Sequence, residues 1–149
     1  MGTVEDQFAD VDGIVNQSGV ESFEVAATKT VVIGAVVAVS AAVAMGLPTI
    51  QLSSDNETAL GVVVGLGEGA SGAAGRKVSV ALNGSGIVTK CVTKGAVVAG
   101  TLCKTEGSET GCVIAMAGGT TDVDEYQHEV GIALQTSDDD GDEILVVLG

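Results

Sequence analysis

The chain is nearly without aromatic residues: Phe8, Phe23 and Tyr126 are the only three in 149 positions, and tryptophan is absent. Its core must therefore be filled by aliphatic side chains, and a substrate pocket has little to be built from. Histidine is as scarce, with His128 alone, and Arg76 is the single arginine. No second histidine exists to complete a zinc site, and Ser/Cys–His–acid catalysis has one candidate base. Basic residues number 6 against 20 acidic ones, for a net charge of −14. A direct nucleic-acid binder needs lysine and arginine to displace counterions from phosphate, so this balance argues against that class. The surplus of one sign keeps a surface soluble by self-repulsion. Cys91, Cys103 and Cys112 lack Cys-x-x-Cys spacing and read as small buried apolar residues of a reducing compartment rather than redox or metal ligands.

What is abundant is valine, alanine and glycine. Short Val-rich runs between glycine clusters favour strands, because β-branched side chains pack well on a pleated surface. The length is that of one domain, able to bury about 70% of its unfolded surface. Two halves echo each other. Gly34-Ala35-Val36-Val37-Ala38 recurs letter for letter as Gly95-Ala96-Val97-Val98-Ala99. Leu60-Gly61-Val62-Val63 has its counterpart in Val130-Gly131-Ile132-Ala133, and the closing stretches Lys77–Gly84 and Glu143–Gly149 match as well. Two copies, about 60–70 residues apart, predict one pseudo-symmetric domain rather than a long array.

The expected fold is therefore all-β: a small β-barrel or β-sandwich of about nine short strands, built from two pseudo-symmetric repeats and preceded by an extended N-terminal arm. Residues 1–27 read as an acidic arm. Residues 28–149 read as a single β domain, with repeat 1 at 28–84 and repeat 2 at 89–149. Strands are expected at 31–39, 60–66, 96–103 and 128–134, and the apolar last strand, 144–148, is expected to be buried on both faces. Charge divides the copies. Residues 28–84 are neutral, whereas 85–149 carry eleven acidic groups against Lys90, Lys94 and Lys104.

The uncharged stretch 30–50 is long enough for a membrane helix. It is β-branched, broken by Gly34, Gly46 and Pro48, and its core phrase recurs between Lys94 and Lys104, where no span fits. No membrane association is expected. Nothing upstream reads as a signal peptide, since Glu5, Asp6, Asp10 and Asp12 stand where a basic region would be.

Candidate chemistry is thin. The run Asp138-Asp139-Asp140-Gly141-Asp142-Glu143 is contiguous, whereas calcium loops space their ligands at alternate positions, so a solvated turn is the better reading. Gly65-Leu66-Gly67-Glu68-Gly69 resembles half a dinucleotide fingerprint but has no helix to follow it. No metal, no cofactor and no catalytic residue is assigned. His128 reads as a surface side chain. The aromatic residues of the arm are better candidates: Phe8 and Phe23 either anchor a partner, since such residues are enriched where proteins bury against each other, or plug one end of their own barrel. The partner-contact candidates are Phe8, Ile14, Phe23, Arg76 and Lys77.

The order and spacing of Val32–Ala38, Leu60–Val63, Lys77–Gly84, Val130–Leu134, the acidic turn and Glu143–Val146 resemble the capsid cement, or decoration, proteins of tailed viruses of bacteria and archaea. The resemblance implies a non-enzymatic virion protein on the outer surface of an icosahedral head, made in the host cytoplasm. It implies the major capsid protein as partner and a homo-trimer as the working form. The acidic N-terminal segment and the insertion around Thr120–His128 depart from that pattern. An acidic secreted or membrane-anchored adhesion module is the alternative from another class, and a small hydrolase using His128 and a cysteine is a third.

Overall fold

The computed structural model describes residues 18–40, 48–54, 57–108, 110–116 and 128–149. Five strands build a first unit: β1 (Val20–Val25), β2 (Val36–Val39), β3 (Thr49–Leu52), β4 (Gly61–Leu66) and β5 (Lys77–Leu82). Five more build a second: β6 (Val88–Val92), β7 (Leu102–Thr105), β8 (Val113–Ala115), β9 (Glu129–Ala133) and β10 (Glu143–Leu148). The protein is all-β, and among the described residues the only helical segment is a 3₁₀ turn at Glu68–Ala70.

The first unit is a closed barrel with strand order β1-β3-β2-β4-β5, sealed where β1 runs parallel to β3 through Glu24–Thr49 and Val25–Ile50. The second has the order β6-β10-β9-β7-β8. A single parallel bridge, Thr93–Val113, draws β6 back towards β8, so this barrel is almost closed. The ladders coincide residue by residue. Val36 pairs with Val62 and Val37 with Gly61, as Leu102 pairs with Ile132 and Cys103 with Gly131. Gly61 and Gly131 must be glycine: a Cβ there would overlap the carbonyl oxygen of Ala81 or of Val147 on the neighbouring strand.

The same correspondence corrects the pairing of the pentapeptides. Gly34 turns the chain at φ 88° and donates to the Val63 carbonyl at 2.8 Å; Gly100, at φ 90°, donates to the Ala133 carbonyl at 2.7 Å. Gly34 is thus the counterpart of Gly100, not of Gly95, and Val31-Val32-Ile33-Gly34 matches Val97-Val98-Ala99-Gly100. Both turns need a left-handed backbone that glycine adopts freely. They also end the expected strands 31–39 and 96–103, since β2 and β7 begin only beyond them.

Residues 20–25, read from sequence as part of the arm, form β1; residues 1–17 lie outside the described residues. β1 pairs along its length with β5, and Val25 is 1% exposed. Small barrels are filled by their own side chains. Here Val25, Val31, Val37, Ile50, Val63, Val78 and Val80 fill the first, with no ring among the fully buried residues. Each such valine contributes about 1.5–3 kcal/mol by leaving water. The counterparts Val97, Cys103, Val113, Ala133, Ile144 and Val146 fill the second, and their cluster continues into Val36, Ala59, Val62 and Ala81 of the first. That second cluster thus bridges the two units, while the interior of the first barrel forms a cluster of its own. β10 differs from expectation: Ile144, Val146 and Leu148 are buried, but Leu145 and Val147 are partly exposed. Of the stretch 30–50, residues 30–40 form a bridge, a turn and β2, and Thr49–Ile50 begin β3; residues 41–47 lie outside the described residues. No helix among the described residues is long and apolar enough to cross a membrane.

Candidate docking surface

Three of the five contact candidates come together. Phe23 in β1 stands opposite Val78 at the start of β5, Glu24 stands opposite Lys77, and Arg76 immediately precedes them. The barrel interior takes up only part of the Phe23 ring. The remainder lines a 220 Å³ depression shared with Glu21, Ser22, Glu24, Pro48 and Lys77. The side chain of Arg76 is exposed, while its backbone holds the corner by accepting from Val25 N at 2.9 Å. At the matching corner of the second unit stand Asp142 and Glu143, so charge is reversed between units. Glu143 lies 3.9 Å from Lys90, both well exposed, a pairing worth little in water. Phe8 and Ile14 lie outside the described residues.

The acidic run forms an exposed turn tied down by its neighbours. Thr93 Oγ1 donates towards the carbonyls of Asp139 and Asp142, each at 3.2 Å, and Asp140 accepts from Gly95 N. Among the described residues no three His, Cys, Asp or Glu side chains gather as a metal-binding group. Nearby, partial burial pushes the Glu106 carboxyl up, but hydrogen bonds from Thr110 and Ser108 and the charge of Lys94 outweigh it, so the net shift is down.

His128 differs from its sequence reading. It is half-buried, and Nδ1 lies 2.9 Å from the carbonyl oxygen of Glu57 in the first unit. A carbonyl only accepts, so the bond requires the proton on Nδ1. The histidine fastens one unit to the other, as does Asn83, whose Nδ2 donates to the carbonyls of Ala59 and Glu129 at 3.0 and 3.3 Å. All three thiols are free. Burial pushes Cys91 up to about 12, helped by neighbouring Cys103, and pushes Cys103 up to about 11. Both are therefore neutral packing atoms at physiological pH, while Cys112 is partly exposed. A wider depression of about 710 Å³ beside β1 and β3 is lined without histidine, cysteine or aromatic residues.

A second surface was not foreseen. Val88, Ile132 and Leu134 are 51%, 42% and 47% exposed, an apolar concentration on the outer side of the second unit. The signal was present in sequence, because Ile132 matches Val62 across the two halves, but nothing in the letters told which of the two is covered.

No family model and no curated protein matches this chain. A solved structure does. The fold resembles that of the head fiber gp8.5 N base of bacteriophage phi29. The likeness has a TM-score of 0.60 and covers 87% of this chain and 94% of the phage chain, at 15% sequence identity. At that identity it establishes the fold.

Proposed function

We propose that the protein is a structural component of a virus particle, a decoration or cement protein that binds the outer surface of an icosahedral head. The observation that carries this reading is the fold likeness to a phage head fiber base over 87% of the chain. Its physical logic is simple. A head filled with genome pushes outward, and a protein that bridges neighbouring major capsid proteins adds its binding energy to the closed shell. That task needs a rigid scaffold with a complementary face, which two aliphatic-filled β units packed on each other supply. The working form is a homo-trimer made in the host cytoplasm. The less acidic first unit, with Arg76 exposed at its corner, meets the capsid, and the strongly acidic second unit meets solvent.

Sedimentation with undecorated heads tests the reading. The protein is expected to pellet saturably with intact heads, and protein left in the supernatant at every ratio overturns the proposal. Charge reversal at Arg76 is expected to weaken pelleting, while reversal at Asp138 leaves it unchanged. The opposite pattern reverses the orientation.

A further inference from the structure

We infer that a second copy of this chain docks head to tail on the first by repeating an interface already present inside each chain. The inference deepens the self-association proposed above and does not depend on capsid binding.

The internal interface joins unlike surfaces. On the first unit an outward row crosses four strands, because Val20 pairs with Ala81, Ala81 with Val62 and Val62 with Val36. Val36, Val62 and Ala81 are 0% exposed. They are covered by the seam of the second unit, where β6 and β8 meet at a single bridge. Val92 N donates to Gly34 O at 3.2 Å, Val36 N donates to Gly111 O at 2.8 Å, and Cys91 joins the same apolar cluster. The face of one unit thus covers the seam of the other.

Among the described residues, each chain is left with one unused surface of each kind. The matching row on the second unit is Val88–Val147–Ile132–Leu102, in the same register. Val88 and Ile132 are 51% and 42% exposed, and Leu102 and Val147 are partly so. The matching seam on the first unit holds Ser22, Phe23, Glu24 and Pro48, where the second unit has Lys90, Cys91, Val92 and Gly111. There the 220 Å³ depression leaves Phe23 half covered, whereas Cys91 is 0% exposed.

The substitutions between the units compensate in size. A Cβ on Gly111 would come within 2.9 Å of Leu52. At the open pair the glycine becomes the larger Pro48, and the ladder counterpart of Leu52 is the smaller Ala115. Contacts between unlike surfaces close into rings or run on as filaments. The trimer proposed above is then a ring of six units in which every face covers a seam.

Light scattering after size-exclusion chromatography, without heads, tests this. Wild type is expected to be oligomeric. Ile132→Lys on the face and Ser22→Arg on the seam each change an exposed position, so fold and Tm should hold while self-association weakens at least about tenfold. Val32→Lys, on an exposed turn that belongs to neither the row nor the seam, should change nothing. An equimolar mixture of the two defective variants retains one intact face and one intact seam, and should form a 1:1 dimer. A monomeric wild type, an oligomeric Ile132→Lys or a mixture that stays monomeric overturns the inference. A monomer whose pelleting with heads is lost in Ile132→Lys assigns the face to the capsid and overturns it too, while leaving the capsid reading intact.

Discussion

Alkaline pH should loosen the second barrel through two thiols that ordinarily count as inert. Cys91 and Cys103 are both 0% exposed, and burial carries them from 9.0 to about 12 and about 11. The folded protein therefore keeps protons that the unfolded chain releases once the pH passes 9. The stabilisation from these neutral thiols is full below about pH 9 and is lost progressively between about 9 and 12. A tenfold change in proton affinity corresponds to about 1.4 kcal/mol, so at pH 11 the two groups together cost about 5 kcal/mol. Domains of this size have about 5–15 kcal/mol in total, so the loss brings the protein to the edge of unfolding. Urea titrations at pH 8, 9.5 and 11 under reducing conditions measure it. Every other effect of pH is common to wild type and the Cys91→Ala/Cys103→Ala variant, and the difference between the two isolates the thiols. The variant should be less stable at pH 8, from lost packing, and should lose less between pH 8 and 11. Parallel declines would refute the reasoning.

Two further outcomes follow from the same geometry. Gly61→Ala and Gly131→Ala drive a methyl into a neighbouring strand's backbone, which has no rotamer by which to yield, and each should cost about 3 kcal/mol or more in thermal unfolding; Gly84→Ala, with open space but φ +80°, should cost about 1 kcal/mol. Thiol labelling of the native protein should modify Cys112 at once and Cys91 and Cys103 only on unfolding, and uniform labelling of all three would contradict the packing described.

The all-β fold was legible because valine runs and glycine turns leave few alternatives in a chain so poor in rings. The phrase Leu60-Gly61-Val62-Val63 also found its structural partner, because Gly61 and Gly131 meet the same steric demand. Letter identity misled at Gly34-Ala35-Val36-Val37-Ala38. There the equivalence is decided by a left-handed glycine bonded to the neighbouring strand, a constraint that short apolar phrases do not spell out. Glu21 and Glu24 gave β1 the look of a solvated arm, although the strand seals the first barrel. The contact candidates were only partly legible. Phe23 and Lys77 meet because β1 and β5 pair across more than fifty positions. The seam and face depend on which of two similar units covers the other, and that is settled by packing between units, outside the reach of local pattern.

The packing of one unit on the outer face of the other has a consequence for synthesis. Every strand of the first barrel precedes β6 in the chain, so that barrel can close while the last strands of the second unit are still being made. Its valines at 36 and 62 then stay bare until the chain downstream of residue 87 arrives to shield them. The nascent protein thus passes through a stage in which half of it is finished and sticky, and that stage lasts until the covering strands of the second unit emerge.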